Sequence, residues 1–178
     1  MRFDRLLWHC LQPGEYQFTE ENLAVRLSPE NNETVLMFRT DSNVFRGSRE
    51  GVPACDLLFF YRGPASPTPV LLFVELKGSD IEHAETQIGS AFKRVREELA
   101  PDCGGGAARA GAVVVLGSSA PADVKPRQKE AWLKQGLPFA YHFGMRGKPP
   151  VELRPNLADA RKLKRTTPPA PSNVTEPT

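Results

Sequence analysis

VLLFVELKGSD spans Val70 to Asp80. Its first five residues are bulky and apolar, the pattern of a strand buried on both faces. Glu75 and Lys77 then break the run, with only Leu76 between them. Side chains alternate along a strand, so Leu71, Phe73, Glu75 and Lys77 share one face and Val70, Leu72, Val74 and Leu76 the other. A carboxylate and an ammonium therefore project together from the C-terminal end of a core strand.

The preceding apolar run, CDLLFFY (Cys55–Tyr61), is joined to it by RGPASPTP, a loop broken by three prolines. An antiparallel hairpin folded between Ala65 and Ser66 sets Asp56 opposite Glu75, with Cβ atoms about 5 Å apart on one face. Asp56, Glu75 and Lys77 then converge at one edge of the sheet. Two close carboxylates repel unless a cation lies between them. Oxygen donors at such spacing suit a hard divalent ion, Mg2+ or Mn2+. The lysine can orient or activate a water, or stabilise charge developing on a phosphate. Metal and lysine together equip a site for phosphodiester hydrolysis.

Asp56, eighteen intervening residues and Glu75-Leu76-Lys77 resemble the PD-(D/E)xK motif of the restriction-endonuclease-like nuclease superfamily. The strand order and the helix after the lysine also resemble that superfamily's core, over roughly residues 34–118. The resemblance implies an α/β fold with a mixed sheet flanked by helices. It implies Asp56 and Glu75 as metal ligands, joined by the Leu76 carbonyl, with Lys77 as the catalytic lysine. Cys55 stands where the name-giving proline would be. Many members add an upstream glutamate. Glu15, Glu20 and Glu21 are the candidates, and Glu21 or Glu20, just before NLAVRL, is preferred. Some members carry a glutamine on the helix after the lysine. Gln87 fits that place, on the flank of the helix's apolar stripe with His83 and Arg94.

The rest of the chain reads outward from this core. LAVRLS (Leu23–Ser28) and TVLMFRT (Thr34–Thr40) read as strands, and the turn-rich PENNE between them predicts a hairpin. Ile81, Ala84, Ile88, Phe92, Val95 and Leu99 form a helical stripe, which PDCGGGAARAG terminates. AVVVLGS (Ala112–Ser118) fits an interior strand, parallel to the one before the helix. KPRQKEAWLKQG reads as a short helix and LPFAYHF (Leu137–Phe143) as a last strand. RFDRLLWHCL, near the start, can form a short helix. One domain over residues 1–155 is expected, with a basic, then Pro-rich tail over residues 156–178 whose end is disordered.

Composition bounds the function. The 178 residues are 40% hydrophobic and 25% charged, with a formal net charge of +2. That permits nucleic-acid binding without arguing for it. Arg39, Arg46, Arg49, Lys93, Arg94 and Arg96 can contact phosphates, with Arg46, Arg49 and Arg94 foremost. RKLKR (Arg161–Arg165) is a denser basic cluster. Three dispersed cysteines, with no C-x-x-C pair, point to neither a disulfide framework nor a zinc site. No signal peptide or membrane span is read, so a cytoplasmic protein is expected. The function expected is a metal-dependent nuclease, on DNA ahead of RNA, in defence, repair or mobile-element processing. A homodimer or a partner protein would supply specificity. The alternative is a non-catalytic module on the same fold that binds nucleic acid or protein.

Overall fold

The computed structural model describes residues 9–46, 51–64, 68–99, 108–117, 124–135, 137–144 and 148–161. In chain order come β1 (Gln17–Glu20), β2 (Leu23–Arg26), β3 (Thr34–Arg39), the one-turn helix α1 (Asn43–Arg46), β4 (Leu57–Arg62) and β5 (Val70–Lys77). Then follow α2 (Ile81–Leu99), β6 (Arg109–Leu116), α3 (Val124–Gln135), β7 (Phe139–Phe143), β8 (Val151–Glu152) and α4 (Arg154–Arg161).

β3-β4-β5-β6-β7 form a five-stranded mixed sheet. The first two pairings are antiparallel and the last two parallel. β6 is interior, as the apolar run Ala112–Leu116 required. β5 alternates as expected: Leu71 and Phe73 enter one core, while Val70, Leu72, Val74 and Leu76 enter the other.

On the first face, α2 buries Ile81, Ala84, Ile88, Ala91, Phe92 and Val95. The Phe92 ring meets Phe73 edge-on, 5.8 Å between centroids. Asp80 caps this helix: its Oδ1 accepts the His83 N–H at 3.0 Å. At Gly89 the Gln135 side chain of α3 takes the space that a Cβ would fill.

The second face is covered by a smaller sheet, β1-β2-β8, and by α4. Here the expected hairpin of LAVRLS with TVLMFRT is corrected. β2 pairs antiparallel with β1 and parallel with β8, whereas β3 pairs with β4. The reversal occurs earlier, at Glu21-Asn22, whose φ values of 45° and 71° fit a two-residue primed turn. Leu23, Val25 and Leu27 then lie across the large sheet, against Met37, Leu57, Phe59 and Val115. Gly144 permits this approach, because a Cβ there would come 2.9 Å from the Leu23 side chain. Both strands alternate in the same way, so periodicity did not reveal which partner each takes.

α4 also moves the domain boundary. Leu157 is buried in the second core, so the packed unit runs past residue 155. Arg154 ties this helix to the turn before β3, through Glu33 at 2.9 Å and the Ser28 carbonyl at 2.7 Å. No helix among the described residues is long and apolar enough to cross a membrane. Residues 1–8, most of the expected N-terminal helix, and 162–178, most of the basic and Pro-rich tail, lie outside the described residues.

Candidate active site

Leu57 pairs with Val74, which puts Asp56 opposite Glu75 one step further along the ladder. This is the register obtained by folding the loop about its middle. The two segments bind each other reciprocally. The Asp56 N–H donates to Glu75 Oε2 at 3.0 Å, and the Leu76 N–H donates to Asp56 Oδ2 at 2.7 Å. Lys77 Nζ lies 3.9 Å from Glu75 Oε1. The structure therefore brings Asp56, Glu75 and Lys77 together at the end of β5.

The Leu76 carbonyl is well disposed to join them. A residue's N–H and C=O leave a strand on the same side. The Lys77 carbonyl accepts from Gly117, toward β6, whereas the Leu76 N–H meets Asp56, toward β4. The Leu76 carbonyl thus leaves β5 on the side of the Asp56 carboxylate, beyond the last paired residue of β4.

The carboxylates are deeply placed: Glu75 is 1% and Asp56 8% exposed. Burial raises the Glu75 carboxyl well above its ordinary range, and the neighbouring Asp56 raises it further. Asp56 is raised too, by burial first, against the Leu76 hydrogen bond, with Glu20 and Asp41 adding repulsion. Lys77 opposes both shifts.

Glu20 and Asp41 complete an acidic surround. Glu20 ends β1, and its Oε2 is buried with no hydrogen-bond partner. Burial and Asp41 raise its carboxyl, while Arg39 lowers it. Glu21 instead occupies the exposed turn, so of the two preferred upstream glutamates it is Glu20 that couples to the pair. Asp41 was not singled out from the sequence. Its signal was its place just after β3, which becomes informative once β3 pairs with β4: the Thr40 N–H donates to the Asp56 carbonyl at 2.9 Å.

Gln87 reaches the same edge by another route. Its Nε2 donates to the Ala54 carbonyl at 3.1 Å, which ties α2 to the segment leading into Asp56. Cys55, in the place of the motif's proline, is fully buried, and burial raises its thiol. Thr40 Oγ1 donates to its carbonyl at 2.5 Å. These bonds fix the backbone that leads into Asp56.

Other candidates are not gathered here. His83 is exposed in the first turn of α2, with its N–H engaged by Asp80. Arg94 donates to the Arg46 carbonyl and lies 5.3 Å over the Phe45 ring, so both arginines help dock α1 on α2. Arg49 lies outside the described residues.

The donor set fits a hydrated divalent ion. Among the described residues, no three His, Cys, Asp or Glu side chains form a closed metal cage. Mg2+ seldom uses one: it keeps several waters and takes one or two carboxylates together with substrate phosphate. Asp56, Glu75 and the Leu76 carbonyl make such an open set. The Glu20 oxygen, buried without a partner, lies outside any such cluster. Comparison with protein-family models, with curated proteins and with solved structures found no match to this chain.

Proposed function

We propose that this chain is a metal-dependent nuclease that hydrolyses phosphodiester bonds, in DNA ahead of RNA, on a restriction-endonuclease-like core. The observation that carries the reading is one juxtaposition. Two buried carboxylates, Asp56 and Glu75, face each other across a hairpin, with Lys77 3.9 Å from the second. Burying two such charges is costly unless cations compensate them, and functional sites are where that cost is commonly met. Lys77, together with Arg39 beside Asp41 and Glu20, still leaves the acidic surround in excess.

Asp56, Glu75 and the Leu76 carbonyl would hold Mg2+ or Mn2+. A bound ion of this kind stabilises negative charge on a phosphate and makes a coordinated water more acidic. The protein's own groups do the positioning. The Asp56 N–H holds the Glu75 carboxylate, and the Leu76 N–H holds that of Asp56. Lys77, partly exposed, presents its ammonium at the mouth, where it can orient the attacking water or meet charge on the phosphate. Gln87 keeps the Asp56 segment in place from α2.

The test compares the parent with Glu75→Ala and Lys77→Ala on single-stranded and duplex DNA and on RNA, with Mg2+ or Mn2+. Cleavage by the parent and a loss of at least about 100-fold in either variant is expected, the scale of losing an electrostatic contact to the transition state. A parent that cuts nothing, or variants that cut equally well, would overturn the reading. Salt-dependent binding without metal-dependent cleavage would favour a binding module instead.

A further inference from the structure

The edge that carries the carboxylates also carries an exposed aromatic ring that the proposed reaction leaves unused. Lys77 pairs with Leu116, and Leu116 pairs with Phe143. Paired residues project from the same face, so the three form one row across β5, β6 and β7. Adjacent strands lie about 4.8 Å apart, which puts the Phe143 backbone roughly 10 Å from that of Lys77.

The row changes character as it crosses the sheet. Leu116 is buried, and so are Phe139 and Tyr141, which precede Phe143 on the same face of β7. Phe143 itself is 41% exposed. Val44 is the other exposed large hydrophobic among the described residues, and it lies in α1, which follows Asp41 at the opposite flank of this edge. Of these two, Phe143 is the one that shares a row with Lys77.

We propose that Phe143 is a stacking platform for an unpaired nucleobase of the strand being cut, so that the preferred substrate contains a single-stranded segment. The inference rests on the nuclease reading and deepens it. In a duplex the faces of the bases are occupied by their neighbours. An aromatic side chain gains a base only where the nucleotide is unstacked. A phosphate held at Asp56, Glu75 and Lys77 leaves the base of a neighbouring nucleotide within reach of a ring at this separation. The contact is indifferent to base identity, because every base offers a π-face. Phe143 would select for strandedness rather than sequence.

The experiment measures initial rates of the parent, Phe143→Ala and Phe143→Trp in Mg2+. The substrates are a single-stranded oligodeoxynucleotide and a blunt duplex of the same sequence. The parent is expected to prefer the single strand. Phe143→Ala should raise its KM for that strand roughly 5- to 150-fold, the scale of one lost base–aromatic stack, with kcat little changed. Phe143→Trp should retain parental KM, and the duplex should be cut equally by all three.

A second readout uses a single strand carrying 2-aminopurine, with Ca2+ in place of Mg2+: its fluorescence should be quenched by the parent and not by Phe143→Ala. If the parent cuts but Phe143→Ala matches it on the single strand, the stacking role falls and the nuclease reading stands. Equal losses on both substrates, carried in kcat, would make Phe143 structural. A shift from dimer to monomer in sedimentation would make it a contact between copies. If the parent cuts nothing, both readings fall together.

Discussion

Replacing Glu75 by Gln should stabilise the metal-free protein while abolishing its response to a divalent ion. Glu75 is 1% exposed, and burial beside Asp56 holds its carboxyl protonated at neutral pH in the absence of a cation. The unfolded chain would ionise it near pH 4.3. The sign follows from linkage. A carboxyl whose pKa is raised by folding binds more protons in the native state, so stability falls as pH rises from the unfolded value toward the folded one. Between pH 4.3 and pH 7 the loss reaches about 3.7 kcal/mol at most. Gln avoids that cost and can still accept the Asp56 N–H bond, though more weakly, giving back about 1 kcal/mol.

A net gain of about 1–3 kcal/mol corresponds to roughly 3–10 °C in Tm for a chain of this size. Thermal unfolding in EDTA from pH 4.5 to pH 7.5 measures it, and the gap between variant and parent should widen as pH rises. Excess Mg2+ should then raise the parent's Tm, by about 2.7 kcal/mol of stability at a hundred times Kd, and leave Glu75→Gln unmoved. A variant less stable than the parent in EDTA at every pH would refute the reasoning. So would a gap that is independent of pH, or equal Mg2+ responses in both proteins.

Glu33→Gln should act in the opposite sense, far from the proposed site. Arg154, with help from Tyr61 and the Glu30 N–H, lowers the Glu33 carboxyl to about 2 despite partial burial, so its contribution is present above about pH 4.5 and lost as pH falls toward 2. The variant should lose up to about 3 kcal/mol in urea unfolding at pH 7, with the difference closing near pH 2. Gln87→Ala removes the tie from α2 to Ala54 and should cost about 1 kcal/mol of stability. If Gln87 positions Asp56, this variant should also lower kcat with little change in Tm response to Mg2+, and unchanged kcat would limit Gln87 to a packing role.

Several parts of the fold were legible because composition and periodicity agreed locally. The stripe on α2 falls where helical spacing put it, and β5 divides its residues between two cores as strict alternation requires. The pairing of Asp56 with Glu75 agrees with the symmetric antiparallel register assumed from the sequence, a register that an eight-residue loop does not itself fix. The place of β2 was not, because Leu23, Val25 and Leu27 would alternate identically beside β3 or across the large sheet. The turn that decides it uses Glu21 and Asn22 at positive φ, without the glycine that advertises such turns.

The sequence by itself determined the chemistry-bearing core: two carboxylates and a lysine at the end of a buried strand. Strand periodicity and hairpin symmetry are local, and with that symmetric register they bring those three together. Only the tertiary structure decided what surrounds them. Glu20 arrives from a separate sheet, Asp41 from the far side of β4, Gln87 from a helix, and Phe143 from two strands away. Each depends on which surfaces pack and which strands become neighbours, and that is set by burying two faces of one sheet at once rather than by any pattern along the chain.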